Sequence, residues 1–301
     1  LAIIIGLTIT FVSLLGGFAM MGGHILVIWQ PWEFVIIGGS ALGTYIVANP
    51  MRSVADTGRA CMEAATGRVP KQRDFLDLLG LLYILMRDIR AKGRNDVEPH
   101  IDDPYQSPIF ARFPRVLGRP DLVQFVCDYV RLLVIGNARS HEIESLMDEE
   151  IETVRRERLK PFASLMIIAE ALPALGIVAA VLGVIKAMGA LDQSPQLLGS
   201  LIGAALVGTF AGIFLSYGVV APLAYKIKST REQQMRLYTI SKQTLLAFMN
   251  GALPQIALEH GRKAIASADR PTIDDVENET ISVSGRAPAG APIGTAIPGA
   301  A

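Results

Sequence analysis

Charge, cysteine and histidine are all scarce in this chain. Only 19% of its 301 residues are Asp, Glu, Lys or Arg, whereas 51% are apolar or aromatic, and the mean hydropathy is +0.39. That balance is too apolar for an ordinary water-soluble domain of this length. Two cysteines, Cys61 and Cys127, are far apart in the chain and have no CxxC partner, and the four histidines His24, His100, His141 and His260 do not cluster. A disulfide scaffold or a metal site is therefore not expected. Lys plus Arg (28) equals Asp plus Glu (28), which removes the basic excess a nucleic-acid partner requires. No nucleophile, base and orienting group, and no phosphate-binding glycine loop, can be assembled from the sequence. An enzyme with catalytic residues or a cofactor is thus unsupported.

What is present is long apolar sequence. Residues 1–51 contain one charged side chain, Glu33, and residues 161–225 contain three, Glu170, Lys186 and Asp192. A bilayer core about 30 Å thick needs roughly 20 apolar helical residues. Four stretches qualify, at about 1–21, 33–50, 171–191 and 198–221. A removable leader is not expected at the start, because no Lys or Arg precedes the first apolar run. The connections 22–32 and 192–197 also lack Lys and Arg, whereas 52–160 carries 18 of them and 226–236 carries Lys226, Lys228, Arg231 and Arg236. The positive-inside rule then places both termini and the long 52–160 segment in the cytoplasm of a multi-pass protein.

That segment has apolar residues at helical spacing over 77–89 and 121–135, so it should be a helical domain. An amphipathic helix is expected over 138–160, ended or kinked by Pro161. The following run, 161–191, would project beyond the membrane if helical throughout. Polar amphipathic helix should continue from 226 to about 270. The Gly-, Ala- and Pro-rich end, from 271 to 301, is expected to stay unfolded.

Inside the membrane, Gly176, Ala180, Gly183 and Ala187, and likewise Ala204, Gly208, Gly212 and Ser216, form stripes of small residues. Such stripes let helices approach closely in lipid. One stripe alone is equally a sign of span three packing on span four, but the two together favour assembly with other chains. No ionisable group lies at mid-span, so if ions pass, the carboxylate that carries them comes from a partner. This chain offers Thr209 in mid-span four, or else a hydroxyl bonded back to the Ala205 carbonyl, with Ser216 and Tyr217 nearer the cytoplasm. Pro173 and Pro222 fall at matching depth in two antiparallel spans and read as a hinge pair, with simple tolerance of proline in membrane helices as the other reading.

These residues resemble the flagellar motor stator family MotA/PomA over most of the chain. The likeness is carried by Gln30-Pro31-Trp32-Glu33 ahead of Gly38-Gly39, by Arg87-Asp88-Ile89-Arg90 followed by Val97-Glu98-Pro99-His100, by Ala171-Leu172-Pro173-Ala174-Leu175-Gly176, and by Gly208-Thr209-Phe210-Ala211-Gly212 with Ala221-Pro222-Leu223. The resemblance implies an all-α integral membrane protein of four transmembrane helices, with a large helical cytoplasmic domain between spans two and three. Its divisions would be spans one and two in 1–50, a rotor-interaction domain in 51–170, spans three and four lining the ion route in 171–225, and a cytoplasmic helix in 226–270. It implies a single-span partner, MotB, whose aspartate binds the ion and whose periplasmic domain grips peptidoglycan. Five copies would surround a partner dimer in the bacterial inner membrane and turn the rotor protein FliG. By matching motif, Arg90 and Glu98 would face the rotor, Pro173 and Pro222 would be the hinges, and Thr209 would lie near the ion route. Ala180 takes the place of the threonine found in sodium-driven relatives, which implies protons. Two other readings compete with this one. A TolQ/ExbB-type transducer has one span before its large loop, against two apolar stretches here. A secondary transporter would contain inverted repeats, and spans one and two do not echo three and four.

Overall fold

Four apolar runs become four helices long and apolar enough to cross a membrane, within Ile3–Met20, Ile25–Ala48, Ser140–Met188 and Pro195–Met249. The chain is seen in a computed structural model, which describes residues 2–92, 94–136 and 139–285. Among these residues every regular element is helical. In order they are α1 (Ala2–Met20), the short α2 (Ile25–Ile28), α3 (Pro31–Ala48), α4 (Met51–Thr66), α5 (Gln72–Ala91), α6 (Arg94–Asp102), a 3-10 turn (Phe110–Arg112), the single turn α7 (Pro114–Leu117), α8 (Pro120–Ile135), α9 (Ser140–Met188), α10 (Pro195–Phe214), a π-helical turn (Leu215–Val220), α11 (Ala221–Met249), α12 (Pro254–Lys263) and α13 (Ile273–Gly285). Two compact units divide them: residues 1–68 with 156–232, and 69–155 with 233–301.

The first unit holds the spans. None of the most apolar stretch of α1 is buried within the chain, and Met20 and Val47 stand 90% and 89% exposed. Such surface needs lipid or other protein around it, because water would penalise it by about 25 cal/mol per Å². The interior of this unit is small: Ile37 and Ala41 of α3 meet Leu172 and Ala179 of α9 and Ala211 of α10. Polar ties hold α3 where it leaves the apolar region. The Tyr45 hydroxyl donates to Thr57 Oγ1 of α4 (2.5 Å), and Ser164 Oγ of α9 donates to Asn49 Oδ1 (2.6 Å). Helix α4 ends at Gly67, whose φ of +65° is the left-handed conformation that favours glycine.

The second unit has the larger core. Helix α5 is enclosed on almost every side, with Leu78, Leu81, Leu82 and Leu85 inaccessible among residues of α8, α11 and α12. Phe125 of α8 meets Tyr129 at a tilt and Tyr238 of α11 edge to face. The Tyr129 hydroxyl donates to Glu150 (2.7 Å), while Lys242 holds Asp148 (2.6 Å) and Glu144 (3.5 Å). These contacts join α8, the beginning of α9 and the end of α11.

Three expectations change. Helix α9 is continuous for 49 residues through Pro161 as well as Pro173, so Pro161 does not end it. At 1.5 Å per residue it is about 73 Å long, far more than a bilayer core, and it extends beyond the membrane. Second, the segment from 271 is not all unfolded: α13 occupies Ile273–Gly285. Its Asp275 accepts from Gln72, and its Glu279 pairs with Arg73 at 2.9 Å, so α13 is laid along the start of α5. The acidic residues that make it polar in sequence serve as its attachment points. Residues 286–301, expected to be unfolded, and residue 138, expected to begin a helix, lie outside the described residues. Third, the small-residue stripes face each other within one chain, as the site geometry shows.

Candidate functional site

Helices α9 and α10 touch through backbone rather than side chain. A Cβ placed on Gly176 would lie 2.8 Å from the Gly208 carbonyl oxygen and 3.0 Å from Gly212 Cα. One on Gly212 would lie 2.6 Å from the Leu172 carbonyl oxygen and 2.8 Å from Gly176 Cα. One on Gly183 would meet Ala205 at 2.6 Å. The stripes are therefore spent on intramolecular packing of span three on span four, and the expectation that they face other chains is corrected. Periodicity identifies a close-packing face without identifying its partner.

This packing fixes the residues beside it. The Ala180 backbone nitrogen lies 3.2 Å from where a Gly208 Cβ would be, which brings Ala180 beside the residue preceding Thr209. Both side chains are half-buried. The Thr209 hydroxyl makes no hydrogen bond to any described residue. Other span hydroxyls do bond backward, Thr10 to the Gly6 carbonyl (2.9 Å) and Ser200 to that of Leu197 (2.7 Å). The alternative that the Thr209 hydroxyl bonds back to the Ala205 carbonyl is thus not realised. Tyr217 is exposed and equally without a hydrogen bond.

The two prolines have different surroundings. Pro173 sits inside an unbroken helix, yet it lacks the N–H that the carbonyl four residues back, that of Ala169, would accept from. Ser216 Oγ donates to that carbonyl at 2.5 Å, and Ser216 is 1% exposed. Pro222 follows the π-helical turn, in which the Ala221 N–H reaches back five residues to the Ser216 carbonyl. A proline ring inside a helix collides with the carbonyl four residues earlier, and a widened turn relieves such crowding. The sequence showed both prolines and the serine, but not that the serine answers the vacancy left by Pro173.

Just beyond, an ion cluster joins three helices. Arg231 of α11, with its side chain 4% exposed, donates to both oxygens of Asp56 (2.8 and 2.9 Å), to Glu63 (3.3 Å) and to the Arg158 carbonyl (2.8 Å). The Arg231 hydrogen bond, acting against burial, holds the Asp56 carboxyl below its ordinary value. Burial disfavours the Arg231 charge, but the hydrogen bonds and charges of Asp56 and Glu63 outweigh it. Sequence reasoning saw Arg231 only as one of four basic residues after span four. The pair of acids on one face of α4, at positions 56 and 63, was the available signal.

In the second unit the charge-rich stretch around Arg90 divides in two. Asp88 is buried and holds Arg87 (3.0 Å) and Lys92 (3.1 Å). Arg90 and Glu98 are exposed, and neither makes an ion pair with a described residue, including each other. The motif around Arg90 therefore mixes a structural ion cluster on Asp88 with charges that face outward. Cys127 is buried, and burial pushes its thiol up to about 12, leaving it unreactive.

Comparison with known proteins places this geometry. The family described as Motility protein A N-terminal matches residues 4–93, and the MotA/TolQ/ExbB proton channel family matches residues 122–239. Motility protein A of Salmonella typhimurium is 40% identical over 93% of this chain and 95% of its own length, and that of Escherichia coli is 39% identical over the same shares. The chemotaxis protein LafT of Vibrio parahaemolyticus is 36% identical over 91% and 96%. The solved MotAB structure of C. jejuni superposes with a TM-score of 0.73 at 20% identity, covering 90% of this chain and 98% of that one. The MotAB stator complex of Bacillus subtilis gives 0.69 at 22%, covering 89% and 96%. Fold and paired spans define a helical membrane protein, and the second family match puts it in the MotA/TolQ/ExbB proton channel class. Two span-forming helices precede the large helical segment, and the first family match covers them. The chain belongs to the motility protein A family, the stator subunits of the flagellar motor.

Proposed function

We propose that the chain couples proton flow to rotation by surrounding a MotB-like single-span partner in the bacterial inner membrane, with both of its own termini cytoplasmic. Five copies form a ring around a dimer of that partner, whose aspartate carries the proton. The observation that carries this reading is the α9–α10 pair, which has no ionisable side chain at mid-span but presents a Thr209 hydroxyl with no internal hydrogen bond. Thr209, Ala180 and Tyr217 border the ion path. A methyl group at Ala180 cannot coordinate sodium, which supports protons. Pro173 and Pro222 bend as the partner aspartate gains and loses its proton. Residues 171–225 line the route, and the polar helices of 51–170 and 226–270 carry the motion into the cytoplasm. There Arg90 and Glu98, exposed and without an ion pair to any described residue, meet complementary charges on FliG.

The deciding experiment purifies the chain with and without a co-expressed MotB-like partner, counts subunits by mass, and measures proton uptake into vesicles. Five copies with two partners, and uptake only when the partner retains its aspartate, is the expected result. Uptake by this chain alone would refute it. A TolQ/ExbB-type role is disfavoured by the match of residues 4–93 to the motility family.

A further inference from the structure

Gly208, Gly212 and Ser216 recur every four residues, and each faces α9: Gly208 against Ala179 and Ala180, Gly212 against Leu172 and Gly176, Ser216 against Ala169. The first two have no side chain, because the backbones touch. The third carries a donor, and its acceptor is the one carbonyl in α9 that Pro173 leaves without a helical partner. Ser216 also lies in the widened turn before Pro222, accepting through its own carbonyl from Ala221. One buried residue thus touches the backbone consequences of both prolines.

We propose that Ser216 is a positioning residue for force transmission, its hydroxyl acting as a latch that holds α9 to α10 at the Pro173 bend. This rests on the hinge reading of the two prolines. An unpaired carbonyl buried in an apolar environment is strongly disfavoured, so the hydroxyl sets the bend in which α9 rests. A change in that bend has to break or reform this one bond. At Gly208 and Gly212 the contact is backbone against backbone with no side-chain hydrogen bond, whereas at Ser216 it is directional, so the latch ties the bend to one bond that is either made or broken.

The test is a double-mutant cycle on the complex with its single-span partner, comparing the parent with Ser216→Ala, Pro173→Ala and both together. Two quantities are read: the thermal inactivation rate of the purified complex, and the speed increment each newly engaged stator unit adds to a loaded motor. In the parent background Ser216→Ala should speed inactivation about tenfold, as expected for stranding one buried carbonyl, and should reduce the increment per unit. With Pro173→Ala the restored N–H occupies the Ala169 carbonyl, and adding Ser216→Ala should change the rate by less than about twofold. Accumulation in the membrane serves as the same cycle if Ser216→Ala alone is too unstable to purify, since Pro173→Ala should then rescue it. An equal effect of Ser216→Ala in both backgrounds overturns the latch. So does an unchanged increment in Ser216→Ala, which would leave the bond merely structural. A full increment from Pro173→Ala alone instead defeats the hinge reading, whatever the cycle shows about the bond.

Discussion

Replacing Arg231 by methionine removes the charge that gathers Asp56, Glu63 and the Arg158 carbonyl at the junction of α4, α9 and α11. Two acids are then left together, and a carbonyl loses its side-chain donor. Breaking a fully buried pair from one side costs about 3–5 kcal/mol, and an exposed pair is worth about 0–1 kcal/mol. The Arg231 side chain is 4% exposed, Asp56 34% and Glu63 18%, so water partly replaces the lost partner. The expected loss is about 2 kcal/mol, a factor of about thirty in the folded ratio. Arg231→Lys should fall between, because an ammonium cannot span both Asp56 oxygens as the guanidinium fork does. The assay is the thermal inactivation rate of the complex in detergent, repeated as a function of pH. Asp56 has a folded value depressed below 3.8. Its contribution is therefore complete above that pH and disappears as pH falls through the depressed value. Arg231→Met should flatten the acid limb in that window. A methionine variant as stable as the parent would refute the reasoning, showing that desolvation of the guanidinium had offset everything the pairing supplies.

Gly212→Ala should lower the melting temperature of the complex, because its Cβ collides with backbone atoms of Leu172 and Gly176 and the overpacking costs about 1–3 kcal/mol. Gly203→Ala, with open space around it, is the matched control, and equal effects would refute the α9–α10 packing. Arg90→Glu should impair swimming more than Arg90→Ala, at unchanged membrane levels and more visibly at low ionic strength; equal impairment would indicate packing instead. Pro173→Ala or Pro222→Ala should leave partner binding intact while lowering torque, and failure to assemble would make the prolines structural. Swimming should persist when sodium is removed at constant proton-motive force, and arrest would refute proton coupling.

The spans were legible in the sequence because a bilayer imposes a one-dimensional requirement: about 20 residues without charge. The helices of the second unit were legible for a similar reason, since the spacing of Leu78, Leu81, Leu82 and Leu85 already marks a helix with an apolar face. Pro161 and α13 were misread because a local rule was applied without its context. Helix α9 runs on through Pro161 as one element, and an acidic segment folds when basic residues such as Arg73 await it. Direction is what local pattern does not contain. The glycine stripes, Arg231 and Ser216 each had a visible residue type, but their partners lie on other helices, up to 175 positions away for Arg231 and Asp56. Helical periodicity specifies a face, whereas hydrogen bonding and close packing specify an opposing atom. Only tertiary structure decided that the stripes meet each other, that Arg231 is buried, and that a serine answers the carbonyl freed by Pro173.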